Sequence, residues 1–397
     1  MKEVYGEIYF TEYDEKITGT SRRDPLGLQP IWSYYGRRVI KHLTTVSTDI
    51  RGFREVLLCL AICGEYKNRH QEESYKDLIL LFEQLFVYAA IRHDSTEGIL
   101  GADNGISRYK ASNKNPMISS TDTILIREIS LGYYGRYKTP LSTMGIINKN
   151  SNVADEIDVV SLYGSTLYKK IYNAFATFVS LRPEDRVFMN FGARKEIFEA
   201  VCGKFRKEEK EFWIRKLQIE GFDKNKLMSA CYSIVEADKS YRNVFDELTY
   251  SLPVKDIEKL EPFLRCMESV FYLALSSKTV DEVHIEKRVL EDHKERFKDF
   301  VTITDAKEAN SVMLDRRLNY IKKKCSPESD SYVNSIISYH KMVCEQKNSA
   351  VWLEVDAGGN IQSFVQPDTK IDIEEWGRDY YLSSLLSIKL GIKELSK

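Results

Sequence analysis

The residue pattern predicts a mainly α-helical fold, with an embedded winged helix-turn-helix and a small terminal β-hairpin. Three stretches predict it. The run from Tyr75 to Arg92, YKDLILLFEQLFVYAAIR, is apolar almost all round, as a buried helix is. From about Thr121 to Phe178, short helical segments, glycines and a polar tip follow one another in winged-helix order. Near the end, AVWLEVDAGGNIQSFV places alternating apolar residues on both sides of an Ala-Gly-Gly-Asn turn, which reads as a hairpin. The expected organisation is a helical N-terminal domain (1–115), a winged-helix-like domain (116–180), a helical domain (181–348) and a hairpin with a last helix (349–397).

In chain order, residues 3–13 alternate enough for a short strand or arm. Asp24-Pro25-Leu26-Gly27 signals a turn or helix entry, and a helix runs from Pro30 towards Ile40. Thr48-Asp49 precedes a second helix, about Ile50 to Tyr66, with Phe53, Val56, Leu57, Leu60 and Ala61 on one face. Arg22, Arg23, Arg37, Arg38, Arg51 and Arg54 ring these helices. They are expected to snorkel and pair with Asp24, Asp49 and Glu55, with a phosphate-binding surface as the sharper reading. Residues 93–115, with Gly98, Gly101 and Gly105, read as a linking loop.

Within the winged-helix stretch, Thr121 caps a short helix through Ile129, and Gly132 and Gly135 supply a turn. A second helix starts near Pro140 and ends at Met144-Gly145. Ile146-Ile147 and 157–160 are the two sides of a wing, and Ser161 opens a helix to about Phe178. Beyond it, helices are expected over 196–219, 228–235, 244–248, 254–275, 280–300, 306–324, 331–345 and 373–392, with Pro262 a potential kink.

At 397 residues, with 43% hydrophobic and 29% charged residues, the chain can build a sizeable core and is not of disordered type. Its formal net charge of −1 means that any nucleic-acid contact has to be local. No stretch has the roughly eighteen continuous apolar residues of a membrane span, and MKEVYGEIYF lacks a signal-peptide core. Seven cysteines without a secretory signal point to reduced thiols, hence a cytoplasmic location and no membrane partner.

The strongest chemical reading is a DNA-contacting winged helix. Tyr134, Arg136, Tyr137 and Lys138 cluster at the second helix's entry, and Lys149 lies on the wing. Recognition helices approach a groove by their N-terminal end. From Thr121 to Lys170 the balance of charges is only +1, so structural or protein-docking use is preferred over direct DNA contact for this segment. A second constellation is Arg37-x4-His42, a spacing similar to that of HEPN-type ribonucleases. There the arginine would stabilise phosphate and the histidine act on a ribose hydroxyl. Arg38 stands where those enzymes often carry a polar residue. A third is a zinc site from Cys59 and Cys63 with His340 and Cys344, each pair spaced to share a helix face. Core burial is the plainer account of those residues. Glu208-x-Lys210 and Glu345-x-Lys347 superficially match a nuclease signature but lack a preceding strand. There is no GxxxxGK[ST], no Gly-rich dinucleotide loop and no GxSxG, so ATP hydrolysis is not expected and no cofactor is implied.

DPLGLQPIWSYYGR, with YYGRYKTPLSTMGII and SLYGSTLYKKIYNAF, resembles bacterial proteins encoded in defence islands, which pair a DPLG-type entry with an embedded winged helix. The resemblance covers about Asp24 to Phe178, and Ser161 replaces the Thr of the family's LT pattern. It implies a subunit of a multi-protein system against phage or plasmid DNA, acting beside an ATPase or nuclease, and it carries over no catalytic residue. The leading expectation is thus a non-catalytic subunit that docks partner proteins and contacts double-stranded DNA. The alternatives are a HEPN-like ribonuclease or other nuclease, and a stand-alone transcription regulator.

Overall fold

The computed structural model describes residues 24–70, 73–218, 252–303, 312–365 and 377–397. Among them the fold is mainly helical, with one two-stranded antiparallel sheet near the C-terminus. The contacts fall into two compact units that cut across the four consecutive segments expected. The first holds 42–70, 73–218 and 383–397, and the second holds 24–41, 252–303, 312–365 and 377–382. The chain's last segment explains part of this division. Ser384 Oγ donates to the Thr44 carbonyl at 2.9 Å and the Phe205 N–H to Leu395 O at 2.8 Å. The end of the chain is thereby returned to the first unit.

The first unit is built on α2 (Ile50–Arg69) and α3 (Tyr75–Arg92), whose bounds match expectation closely. Asp49 caps α2 by accepting from Arg51 N, and Ser74 caps α3 by accepting from Asp77 N. Every side chain from Leu78 to Ile91 is buried, as an all-round apolar helix requires. The expected loop 93–115 instead contains α4 (Ala102–Ala111). Its Gly105 lies where a Cβ would come within 2.7 Å of Ile91 Cδ1, so the small residue there serves close helix packing.

Next come α5 (Glu128–Leu131), α6 (Tyr133–Thr143), α7 (Val159–Tyr163) and α8 (Ser165–Val179). The single helix expected from Ser161 is thus two, parted at Gly164 with φ +84°. The long charged helix expected over 196–219 is also two, α9 (Arg194–Cys202) and α10 (Lys207–Leu217). Arg54 fills the break between them. Its Nη1 donates to Val201 O and Gly203 O, both at 2.6 Å, and Nε and Nη2 grip the Glu209 carboxylate at 2.7 and 3.0 Å.

The second unit comprises α1 (Gln29–Val39), α11 (Leu252–Leu275), α12 (Lys287–Val301), α13 (Val312–Lys324), α14 (Tyr332–Lys347) and the hairpin β1 (Leu353–Val355)/β2 (Ile361–Ser363). The hairpin pairs Leu353 with Ser363 and Val355 with Ile361. The Asp24–Gly27 turn is pinned from several sides. The Asp24 carboxylate accepts from Leu28 N at 2.8 Å and Gln29 N at 3.0 Å, capping α1. Arg317 Nη1 donates to Gly27 O, and Lys347 Nζ donates to Asp24 O. Pro262 lies inside α11, held there by the buried Leu260, Phe263, Leu264 and Met267 around it. A 3-10 turn, Val280–Glu282, precedes α12 where one continuous helix was expected. The last helix, α15 (Leu382–Glu394), starts later than expected. The arm at 3–13, Arg22, Arg23, the helices at 228–235 and 244–248, and residues 306–311 and 373–376 lie outside the described residues. Among the described residues no helix is long and apolar enough to cross a membrane.

Candidate nucleic-acid interface

α6 has one face in the core and one in solvent. Tyr133, Tyr137, Pro140 and Leu141 are buried at helical spacing. The helix begins seven residues before the expected start at Pro140, which instead sits in its interior. An interior proline removes one helical hydrogen bond, at a cost of about 3 kcal/mol. The buried face supplies the compensation. Tyr137 packs into α2 so closely that a Cβ on Gly52 would lie 2.2 Å from its ring. The Tyr137 hydroxyl accepts from Asp49 N at 3.2 Å, and the Tyr133 hydroxyl from Leu100 N at 3.1 Å. Gly132 and Gly135 do not form a turn with unusual dihedrals. They permit close approach, since a Cβ on Gly135 would sit 2.0 Å from Ser130 O.

The segment after α6 folds back on itself. Ile147 pairs with Val153 in an antiparallel bridge, and Asn148 N donates to Asn152 O at 2.9 Å. The expected partner strand at 157–160 is not a strand. Asp158 caps α7 there by accepting from Ser161 N. The returning limb is therefore shorter and tighter than expected. Tyr134 ties this limb to α6, its hydroxyl donating to Ser151 Oγ at 2.9 Å. Lys138 Nζ stands 5.2 Å from the centre of the Tyr134 ring. Lys149 is exposed at the tip, and Arg136 is half-buried with its Nε donating to Leu131 O at 3.0 Å. Of the five residues expected to touch nucleic acid, Tyr137 is corrected. At 2% exposure it belongs to the core, because the face it occupies is the one α6 buries against α2.

Beside the limb runs a cleft of about 790 Å³, lined by Lys67, Asn68 and Arg69 of α2 and by Asn148, Asn152 and Asp155. Arg69 pairs with Glu65 at 2.6 Å and lies 5.1 Å from the Tyr172 ring centre. Sequence reasoning missed this cleft, because its two walls are about 80 residues apart in the chain. It also missed three buried acids behind α6. Glu83 interrupts the apolar α3, and Glu55 sits on the apolar side of α2. An acid at a core position is the available signal. Glu83 Oε1 accepts from Tyr134 N at 2.5 Å, at the start of α6. Burial pushes Glu83 up to about 8, against the lowering effect of that backbone donor, with Glu128 adding to the rise. Burial likewise raises Glu128 to about 7 and holds Glu55 well above the carboxylate range.

The other constellations are not assembled as expected. α1 ends at Val39, so His42 is not on the helix that carries Arg37. It lies in the left-handed region at φ +60°, with Nδ1 3.2 Å from Thr143 Oγ1. Thr143 Oγ1 already donates to Pro140 O, so His42 Nδ1 is the donor of that pair. Arg37 Nε donates to Ser33 O at 3.2 Å. Cys59 and Cys63 are in the first unit, with their sulfurs 3.9 Å apart, whereas His340 and Cys344 are in the second. Both His340 nitrogens are engaged. Nε2 accepts from Trp352 N at 2.9 Å, which leaves Nδ1–H to donate to Pro25 O at 2.7 Å. That ring is therefore committed to structure, and its burial lowers its pKa. Among the described residues no three His, Cys, Asp or Glu side chains are grouped to hold a metal ion. Lys347 of the Glu345-x-Lys347 pair is bound to Asp24. Comparison with protein-family models, with curated proteins and with solved structures finds no match for this chain.

Proposed function

We propose that this chain is a non-catalytic subunit of a bacterial multi-protein defence system, and that it contacts double-stranded DNA through α6 and the limb that follows it, used as a winged helix. One observation carries the DNA reading: the Tyr134–Ser151 hydrogen bond joins α6, with Arg136 and Lys138, to the segment bearing Lys149. Cations presented by a helix and a hairpin tied together suit phosphate contacts that set register on a duplex. Asn68, Asn148 and Asn152 in the adjoining cleft add neutral donors and acceptors. The partner-docking part of the reading rests on the resemblance of the Asp24 to Phe178 stretch to defence-island proteins, and an ATPase or nuclease is the partner it implies.

The test is a fluorescence titration of the full chain on a DNA duplex and on RNA, at several salt concentrations, beside the Lys138→Glu/Lys149→Glu variant. Salt-sensitive duplex binding that the variant loses, with unchanged thermal stability, supports the reading. Equal duplex binding by both proteins would remove α6 and its limb as the contact surface, and no binding at low salt would leave only the partner-docking role, to be pursued by co-purification.

A further inference from the structure

Three buried carboxyl groups in the first unit, one from each of three helices, act on one another. Glu55 of α2, Glu83 of α3 and Glu128 of α5 are 0%, 1% and 3% exposed. Gly132, the residue before α6, marks where two of them meet. A Cβ there would lie 2.3 Å from Glu83 Oε2 and 3.1 Å from Glu128 Cγ. Both oxygens of Glu55 and Oε2 of Glu83 are buried without a hydrogen-bond partner. Besides Arg108, the ionisable groups interacting with these carboxyls include thiols and phenols: Cys59 and Cys63 of α2, Tyr88 of α3, Tyr133 of α6 and Tyr163 of α7. Arg108 of α4 acts on Glu128, but it is itself paired with Asp122 at 3.0 Å, and among the described residues no cation is a cause of the shift of Glu55 or Glu83.

Ionised carboxylates in a dry interior without counter-charge are strongly disfavoured. A metal ion would offset them, yet the cluster is not grouped to hold one. Protons are the remaining means of neutralising it. The Tyr134 N–H at the positive end of α6 only partly offsets the burial of Glu83, so Glu128 is the first to ionise. Second and third charges at the same place repel the first.

We propose that Glu55, Glu83 and Glu128 form a proton-operated latch on α6. Protonated, they let α2, α3 and α5 pack together, with Gly132 seated between Glu83 and Glu128. Ionised together, they repel one another and loosen it. Burial holds Glu83 near 8 and Glu128 near 7, so the latch works just above neutral pH. Its consequence for DNA binding rests on the reading of α6 given above, whereas its operation does not.

Hydrogen–deuterium exchange on the full chain from pH 6 to 9, corrected for intrinsic rates, tests it. The α14 helix of the second unit serves as the reference. The expected result is a fall in α6 protection of at least about tenfold per pH unit from pH 6 to about 8, levelling off above it, with a much smaller change in α14. Glu83→Gln and Glu55→Gln, which keep the side-chain shape, should each reduce that fall. Should one of them not fold, the other decides. Infrared spectra at pH 6.5 should also carry a protonated-carboxyl band that weakens in the folded variant. Parallel loss of protection in both helices, an undiminished fall in a folded variant, or no protonated-carboxyl band would overturn the latch. A working latch with pH-independent DNA affinity would leave the latch standing and count against α6 as the DNA-facing helix.

Discussion

Arg54 shows what a single side chain does in this fold. The sequence places it among the surface arginines, yet it is 2% exposed and joins α2 to the break between α9 and α10. Its bidentate grip on Glu209 is a buried ion pair, whose removal on one side strands the other charge. Arg54→Met is expected to cost about 3–5 kcal/mol in denaturant unfolding, and Arg54→Met/Glu209→Leu to recover most of it. Burial raises Glu209, and Arg54 partly restores it. Glu83 sets a pH dependence of the same origin, burial, without a cationic partner to offset it. Its folded pKa of about 8 lies above the ordinary value of 4.5, so the fold binds the proton more tightly than the unfolded chain does. Its contribution to stability is complete below 4.5 and is lost as pH rises towards 8. Glu83→Gln should therefore flatten the stability profile between these limits by up to about 1.4 kcal/mol per pH unit, measured by urea titration at a series of pH values.

At the scale of elements, α6 shows packing overriding local signals. Pro140 reads as a helix start and Gly135 as a turn residue, yet both lie within the helix. The reason is the face that Tyr133, Tyr137 and Leu141 bury, which needs the helix to run through both. Gly52 on α2 is the matching concession, since no side chain fits against Tyr137 there. Gly52→Ala should thus destabilise the first unit by about 1–3 kcal/mol, with the loss read by exchange of the α6 amides. The elements read most reliably from sequence, α2 and α3, have helix-period or all-round apolar patterns and local caps at Asp49 and Ser74. Those signals lie within a few residues of the structure they specify. α4 was illegible because Gly101 and Gly105 look like loop residues until α3 is beside them.

For the whole molecule, the formal net charge of −1 supplies no general attraction to DNA. Binding through Arg136, Lys138 and Lys149 should accordingly show a shallow salt dependence, with log K falling by about 2.7 per log unit of salt for three phosphate contacts. A much steeper slope would implicate cations elsewhere in the chain. The sequence by itself determined the helical class, the buried α3, the turn or helix entry at Asp24–Gly27 and the terminal hairpin, because periodicity, capping and turn chemistry act over short distances. Only the tertiary structure decided that residues 383–397 belong with 42–218 and that Tyr137 faces inward. It likewise decided that Arg54 has a buried partner 155 positions away and that three buried acids from three helices act on one another. Each of those outcomes depends on which surfaces meet, and a chain specifies that through the combined burial of distant residues and not through any local pattern.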